Sequence, residues 1–224
     1  MIPRTSIAKP WLLVLCALGA LTIGCGFKKR GESGFLSDNN YCKDPDTSVL
    51  EADTSFSAAT IAITGNPIST VRFAETTTLL SAAKDYWGAL IWAKLASTSS
   101  AAKQNIIVSM YRSPTGTDVP VKSTSMTMPD GRAGELLDYD VITYFDLSAT
   151  GGWAKAEFSS IASTYPGDNV WLTVTPSYTT TGTEAVFLGT KTSTASKLYE
   201  ASDAMVWTAR PTLTTGLIPV ECGE

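Results

Sequence analysis

An all-β fold, an antiparallel β-sandwich or jelly roll, is what this chain predicts from about residue 54 onward, and three observations carry the prediction. Short apolar or alternating runs recur between turn residues such as Gly65-Asn66-Pro67, Ser113-Pro114-Thr115-Gly116 and Pro166-Gly167-Asp168. Such punctuation of short runs is the mark of sandwiches and barrels. The composition is rich in Thr and β-branched residues and poor in Lys, which suits exposed strand faces. Finally, Tyr139–Leu147 alternates with period two: Tyr139, Val141, Thr143, Phe145 and Leu147 against Asp140, Ile142, Tyr144 and Asp146. Period two marks a half-buried strand rather than a helix.

The other elements follow in order. Strands are expected at Thr60–Thr64, Ile68–Phe73, Tyr86–Leu95 (the longest apolar run), Asn105–Arg112, Asn169–Thr175, Glu184–Gly189, Ala204–Thr208 and Leu217–Cys222. Two segments are ambiguous. Ala74–Lys84 fits a helical turn or a loop. Trp153–Ile161 fits a helix through Ala154, Phe158 and Ile161, or a strand through Ala154, Ala156 and Phe158. Strand is preferred, because Ser159, Ser160 and Thr164 are weak helix formers.

The N-terminus reads differently. Met1–Pro10 carries Arg4 and Lys9 and no acid, and Trp11–Ile23 is an unbroken apolar run. A basic start and a short apolar stretch form the layout of a secretory signal peptide. Thirteen residues fall short of the roughly 20 that a membrane-crossing helix needs. Leu21-Thr22-Ile23-Gly24-Cys25 then resembles the lipobox of bacterial lipoproteins, with Thr22 where that family usually has leucine. Cys16 fits less well, because bulky Leu15 precedes it. The resemblance implies cleavage before Cys25, a diacylglyceryl thioether on its sulfur and acylation of its amine. The expected organisation is a signal peptide over 1–24, a lipidated tether over 25–53 and a β-sandwich over 54–224. The membrane is then a partner through the lipid on Cys25. Gly26 is not the aspartate associated with inner-membrane retention, so the outer membrane is the expected location. Lys28, Lys29 and Arg30 follow at once, either as a contact to anionic headgroups at about 1 kcal/mol each or as a solvated linker.

Removing residues 1–24 takes Arg4 and Lys9 and no carboxylate, leaving 15 basic against 21 acidic side chains. A nucleic-acid partner would call for a basic stripe instead. Of the four cysteines, Cys16 leaves with the signal and Cys25 takes lipid. Cys42 and Cys222 remain as an even pair in an oxidising compartment, which points to a disulfide. Closing so long a loop is worth about 4–5 kcal/mol in the chain-entropy model. Two buried free thiols are the alternative.

Several chemistries are excluded. The chain has no histidine, which removes Ser-His-Asp and Cys-His catalysis and His-ligated zinc. No Walker or Rossmann phosphate loop is visible. Ser81-Ala82-Ala83-Lys84 and Ser100-Ala101-Ala102-Lys103 fit the S-x-x-K pattern of penicillin-interacting enzymes. Ser6-Ile7-Ala8-Lys9 fits as well, and Ser37-Asp38-Asn39 stands in the wrong order, so the match is chance. Glu135, Asp138 and Asp140 could form a glycosidase pair, but a solvated loop leading into a strand is the preferred reading. Asp38, Asn39, Asn40, Asp44 and Asp46 offer oxygen ligands of calcium type without EF-hand spacing, so no metal and no cofactor is expected.

Aromatics remain as the handle on function. Trp92 and Trp171 lie mid-strand and should be core. Tyr86, Trp87, Trp153 and Tyr178 sit at strand ends or loops, where an indole or phenol face could stack on a sugar. Core or rim packing is the competing reading for all four. Ile68–Phe73, Val108-Ser109-Met110-Tyr111 and Gly167–Leu172 loosely resemble the secreted jelly-roll modules of bacterial surface proteins, over about residues 55–222. That resemblance implies a carbohydrate-binding or unassigned module. The expectation is an anchored, non-catalytic domain that contacts a glycan or an envelope protein. A self-assembling structural lipoprotein is the alternative, and a carboxylate-dependent glycan hydrolase the weakest reading.

Overall fold

The structure, a computed structural model, describes residues 54–57, 59–63, 72–76, 80–96, 104–114, 124–177, 186–193, 198–201 and 206–222. All belong to the unit Asn40–Glu224. The signal-peptide and tether segments, with Cys25 and Cys42, lie outside the described residues, as does Tyr178. The described chain is all-β, and its thirteen strands form two antiparallel sheets of a sandwich.

The six-stranded sheet contains β1 (Ala59–Ile63), β9 (Val186–Thr192), β3 (Asp85–Leu95) and β13 (Leu217–Glu221), with β12 (Leu213–Thr215) on β9 and β7 (Gly152–Ser163) on β3. The seven-stranded sheet runs β11 (Trp207–Ala209), β10 (Leu198–Ala201), β2 (Arg72–Thr76), β8 (Asp168–Pro176), β4 (Ile106–Pro114), β6 (Ala133–Ile142), β5 (Thr124–Thr127). Period-two alternation decides which side chains meet between them. Ala89, Ile91 and Ala93 of β3, Ala154, Ala156 and Phe158 of β7, and Val186 and Leu188 of β9 face Ile106, Val108 and Met110 of β4 and Val170, Leu172 and Val174 of β8. This is the main core. A second cluster lies on the other side of the seven-stranded sheet, around Tyr111, Met128 and Trp171. The Trp207 indole N–H donates to the Thr127 carbonyl at 2.7 Å, so β11 and β5, the two ends of the sheet order, approach each other over that cluster.

The Pro-Gly turn forms as its sequence dictates. Gly167 has φ +87° and the Asp168 amide donates to the Tyr165 carbonyl at 3.1 Å, with Pro166 at the position whose φ proline presets. Trp153–Ile161 is strand, within β7. Within Ala74–Lys84 the chain is strand through Thr76 and irregular from Leu80 to Lys84.

One strand departs from expectation. Instead of Tyr139–Leu147, β6 begins at Ala133 and stops at Ile142, and Tyr144–Asp146 is a 3-10 turn. Its burial is inverted as well: Asp138, Asp140 and Ile142 are buried while Tyr139 is 51% exposed. Glu135, Asp138 and Asp140 are therefore not a solvated loop. The cause is the free edge of β7, whose ladder partner is β3. On its other side the Ser160 amide donates to Asp138 Oδ2 at 2.8 Å and the Glu157 amide to Asp140 Oδ2 at 2.9 Å. The Ser159 and Ser160 hydroxyls also donate to Asp138, each at 3.0 Å. Carboxylates pointing inward from β6 thus satisfy the edge of the opposite sheet. An unpaired buried amide is costly, and a charge-assisted bond of this kind is stronger than a neutral one.

Candidate functional site

Chemistry-bearing side chains gather where β4 ends and β8 begins. By alternation Arg112 follows Val108 and Met110 onto the inner face, and it is 4% exposed. Its guanidinium donates from Nε and Nη2 to Glu135 Oε2 at 2.9 and 2.7 Å, and from Nη1 to Asp168 Oδ2 at 3.3 Å. Asp168, 1% exposed, also accepts from the Tyr165 amide at 2.9 Å and so holds the Pro-Gly turn. The Tyr165 ring covers the guanidinium at 4.8 Å. Burial alone would favour a neutral Arg112, but the bonds and charges of Glu135 and then Asp168 outweigh it and keep the cation.

On the opposite face of the same sheet end, Asp130 Oδ2 accepts from Ser113 Oγ at 2.6 Å and Asn169 Nδ2 at 2.9 Å. Ser113 Oγ in turn accepts the Trp171 indole N–H at 2.9 Å. Burial pushes the Asp130 carboxyl up, but the donors Ser113, Asn169 and the Arg132 amide, with the Arg132 charge, hold it below the usual carboxylate range. Glu135, Asp138, Asp140 and Asp168 thus each accept from protein donors. Among the described residues no group of three or more metal-ligating side chains occurs.

Tyr86, Trp87 and Trp153 do not form the exposed aromatic platform that their strand-end positions predict. Tyr86 and Trp87 are core residues, at 0% and 3% exposure. Burial, and then the nearby Glu221 charge, raise the Tyr86 hydroxyl well above its ordinary value. Trp153 is half-buried, edge-on to Phe56 with ring centroids 5.6 Å apart. Trp92 and Trp171 are core, as their mid-strand positions predict. Sequence position failed at Tyr86 and Trp87 because both sides of β3 are covered. Tyr86 points into the main core, whereas Trp87, Trp92 and Trp153 share the outer face of the six-stranded sheet. There Lys155 Nζ lies 5.2 Å from the Trp87 ring, Lys191 4.3 Å from Phe56 and Lys94 5.8 Å from Phe187. The indole nitrogens of Trp87 and Trp153 are buried with no hydrogen-bond partner among the described residues.

The rings that meet solvent lie elsewhere. Phe145 is 79% exposed, Tyr139 51% and Tyr165 50%. Phe145 sits on a braced turn. Thr143 donates its amide and hydroxyl to Asp146 Oδ2 at 3.2 and 2.6 Å, and the Tyr144 amide donates to Asn105 Oδ1 at 3.0 Å. The Tyr144 and Phe145 rings lie 4.0 Å apart.

Cys222 is disulfide-bonded and its amide donates to the Asp85 carbonyl at 2.8 Å. No helix among the described residues is long and apolar enough to cross a membrane. No protein-family model matches the chain, and no curated protein does. Among solved structures, an aminopeptidase from the marine sediment archaeon Thaumarchaeota archaeon aligns at 10% identity and a TM-score of 0.34, over 67% of this chain and 25% of that one. The chain thus spans about a quarter of that protein's length, and at this similarity the match carries no functional argument.

Proposed function

We propose that this is a lipoprotein of the bacterial outer membrane, anchored through Cys25, whose β-sandwich is a non-catalytic binding module for a glycan or an envelope protein. The Cys42–Cys222 disulfide belongs to the same reading, since Cys222 is bonded and Cys42 is the cysteine that export and lipidation leave for it. The observation that carries the binding role is the Tyr144–Phe145 turn. A phenylalanine 79% exposed on a hydrogen-bonded turn leaves unburied an apolar surface worth about 1.5–3 kcal/mol. A rigid exposed ring is also how binding surfaces present their anchors at low entropic cost.

A sugar stacked on one such ring would bind weakly, with Kd about 10⁻⁵–10⁻³ M, worth roughly 4–7 kcal/mol. Many copies in one membrane would make that useful through multivalency. The test is a glycan array and an envelope-protein pull-down with the mature protein, each repeated with Phe145→Ala. The expected result is a ligand whose binding falls about tenfold or more in the variant, the loss typical of a hot-spot residue. Equal binding by both proteins, or no ligand in either format, contradicts the reading. A self-assembling structural lipoprotein would then take its place.

A further inference from the structure

The Tyr144–Phe145 turn presents a charge beside its ring, and that charge selects a kind of partner. Asp146 is exposed, and its Oδ2 accepts from the Thr143 amide and hydroxyl at 3.2 and 2.6 Å. These bonds fix the carboxylate on the turn and leave Oδ1 without a donor among the described residues. None of the ion pairs among the described residues includes Asp146. Glu157, Glu200 and Glu221 differ, for each is paired with a cation: Lys155, Arg210 and Lys84. The turn thus holds out an uncompensated negative charge next to a ring that is 79% exposed.

What a ring and a carboxylate take up together is visible twice within the same domain. The Arg112 guanidinium lies 4.8 Å from the Tyr165 ring and bonds Glu135 at 2.7 Å. Lys155 Nζ lies 5.2 Å from the Trp87 ring and 2.7 Å from Glu157. Phe145 and Asp146 supply the same ring and carboxylate, and no cation among the described residues joins them. We infer that an arginine side chain of a partner protein docks here, its stem against Phe145 and its guanidinium on Asp146 Oδ1. The two residues are consecutive, so one arginine spans both, with its apolar stem and its charged head as separate surfaces. Its planar fork suits a carboxylate better than the ammonium of lysine does. A bond with both partners charged is also stronger than the one a neutral sugar hydroxyl would make. The inference rests on the reading of this turn as a binding surface, and it narrows the partner to a protein that presents an arginine.

Fluorine NMR of the full-length protein in a neutral polyoxyethylene detergent reads this out, with para-fluorophenylalanine at position 145. The probes are two capped tripeptides, glycine-arginine-glycine and glycine-citrulline-glycine, which share a shape and differ in charge. The arginine peptide is expected to move the Phe145 signal saturably, in the millimolar range. The citrulline peptide should bind about two- to fivefold more weakly, the effect of one exposed ion pair. Asp146→Asn should bring the arginine peptide to that same weaker affinity and leave the citrulline peptide unchanged. Salt at about 1 M should erase the difference between the peptides, since the screening length is then only about 3 Å.

Equal affinity for the two peptides in the wild-type protein overturns the inference, and that comparison needs no variant to fold. So does the absence of a saturable shift with the arginine peptide. A signal moved by N-acetylglucosamine and not by the arginine peptide would assign the turn to a glycan instead. The pull-down with Phe145→Ala reports separately on the binding reading. A partner lost there, with no preference for arginine here, would remove the cation and keep the turn. A partner retained there would remove the turn itself.

Discussion

Arg112→Met should lower stability by about 3–5 kcal/mol, the usual cost of breaking a buried ion pair by removing one partner. The cost arises less from lost attraction than from what is left behind. Glu135 and Asp168 would stay buried, and the donors that now neutralise them would be gone. Asp168 would keep the Tyr165 amide, whereas Glu135 would lose both its guanidinium bonds. A urea midpoint shift at unchanged slope measures the effect. Adding Glu135→Gln to Arg112→Met should recover part of the loss, because a neutral amide costs less to bury than a carboxylate. A loss below about 1 kcal/mol in the single variant would mean that the triad is solvated like a surface pair.

The second large effect belongs to the glycine cage of Trp92. A Cβ on Gly189 would stand 2.3 Å from Trp92 Cε3 and 2.8 Å from the Phe56 carbonyl oxygen. On Gly151, whose φ is +87°, it would stand 2.3 Å from Trp92 Cη2, and on Gly216 2.6 Å from Trp92 Cβ. Here β9 leaves β3 and β13 takes its place: Leu188 pairs with Ala93, and Leu217 with Ile91. The indole fills that junction. Trp92→Ala should cost about 3–5 kcal/mol through the cavity it opens, and Gly189→Ala about 1–3 kcal/mol through overpacking. The double variant should cost less than the sum, since removing the indole makes room for the new methyl group. Additive losses in urea unfolding would show that the glycine is not required by the tryptophan.

How far the sequence disclosed this molecule depended on whether a feature is set locally or by pairing. β3, β4 and β8 are legible because an apolar run between turn residues needs no partner to be recognised. The Pro166-Gly167 turn is legible because its two residues preset its dihedrals. β5, β10 and β12 are three or four residues long and polar or mixed. They exist because a neighbouring strand offers a ladder, and no periodicity announces them.

The inverted burial of β6 has the same origin. Asp138 and Asp140 can face inward because β7 presents unpaired amides to them, a fact of sheet edges that composition does not carry. The Arg112 triad left one trace, a cation in step with Val108 and Met110. Such a position demands a partner, but only the register shows that Glu135 and Asp168 supply it. The aromatic platform was misplaced for a related reason. The start of a strand is exposed only if nothing covers the sheet, and Phe56 and the lysines help to cover this one.

The proposed lipid on Cys25 would hold the domain at a membrane, and the mass of the mature N-terminal peptide tests for it. Protein taken from bacterial membranes should begin at Cys25 and carry a diacylglyceryl group on the sulfur and an acyl chain on the amine. A Cys25→Ala chain should keep residues 1–24 and carry no lipid. An unmodified Cys25 in the exported wild-type protein, or lipid carried on Cys16 instead, would rule out the anchor at Cys25.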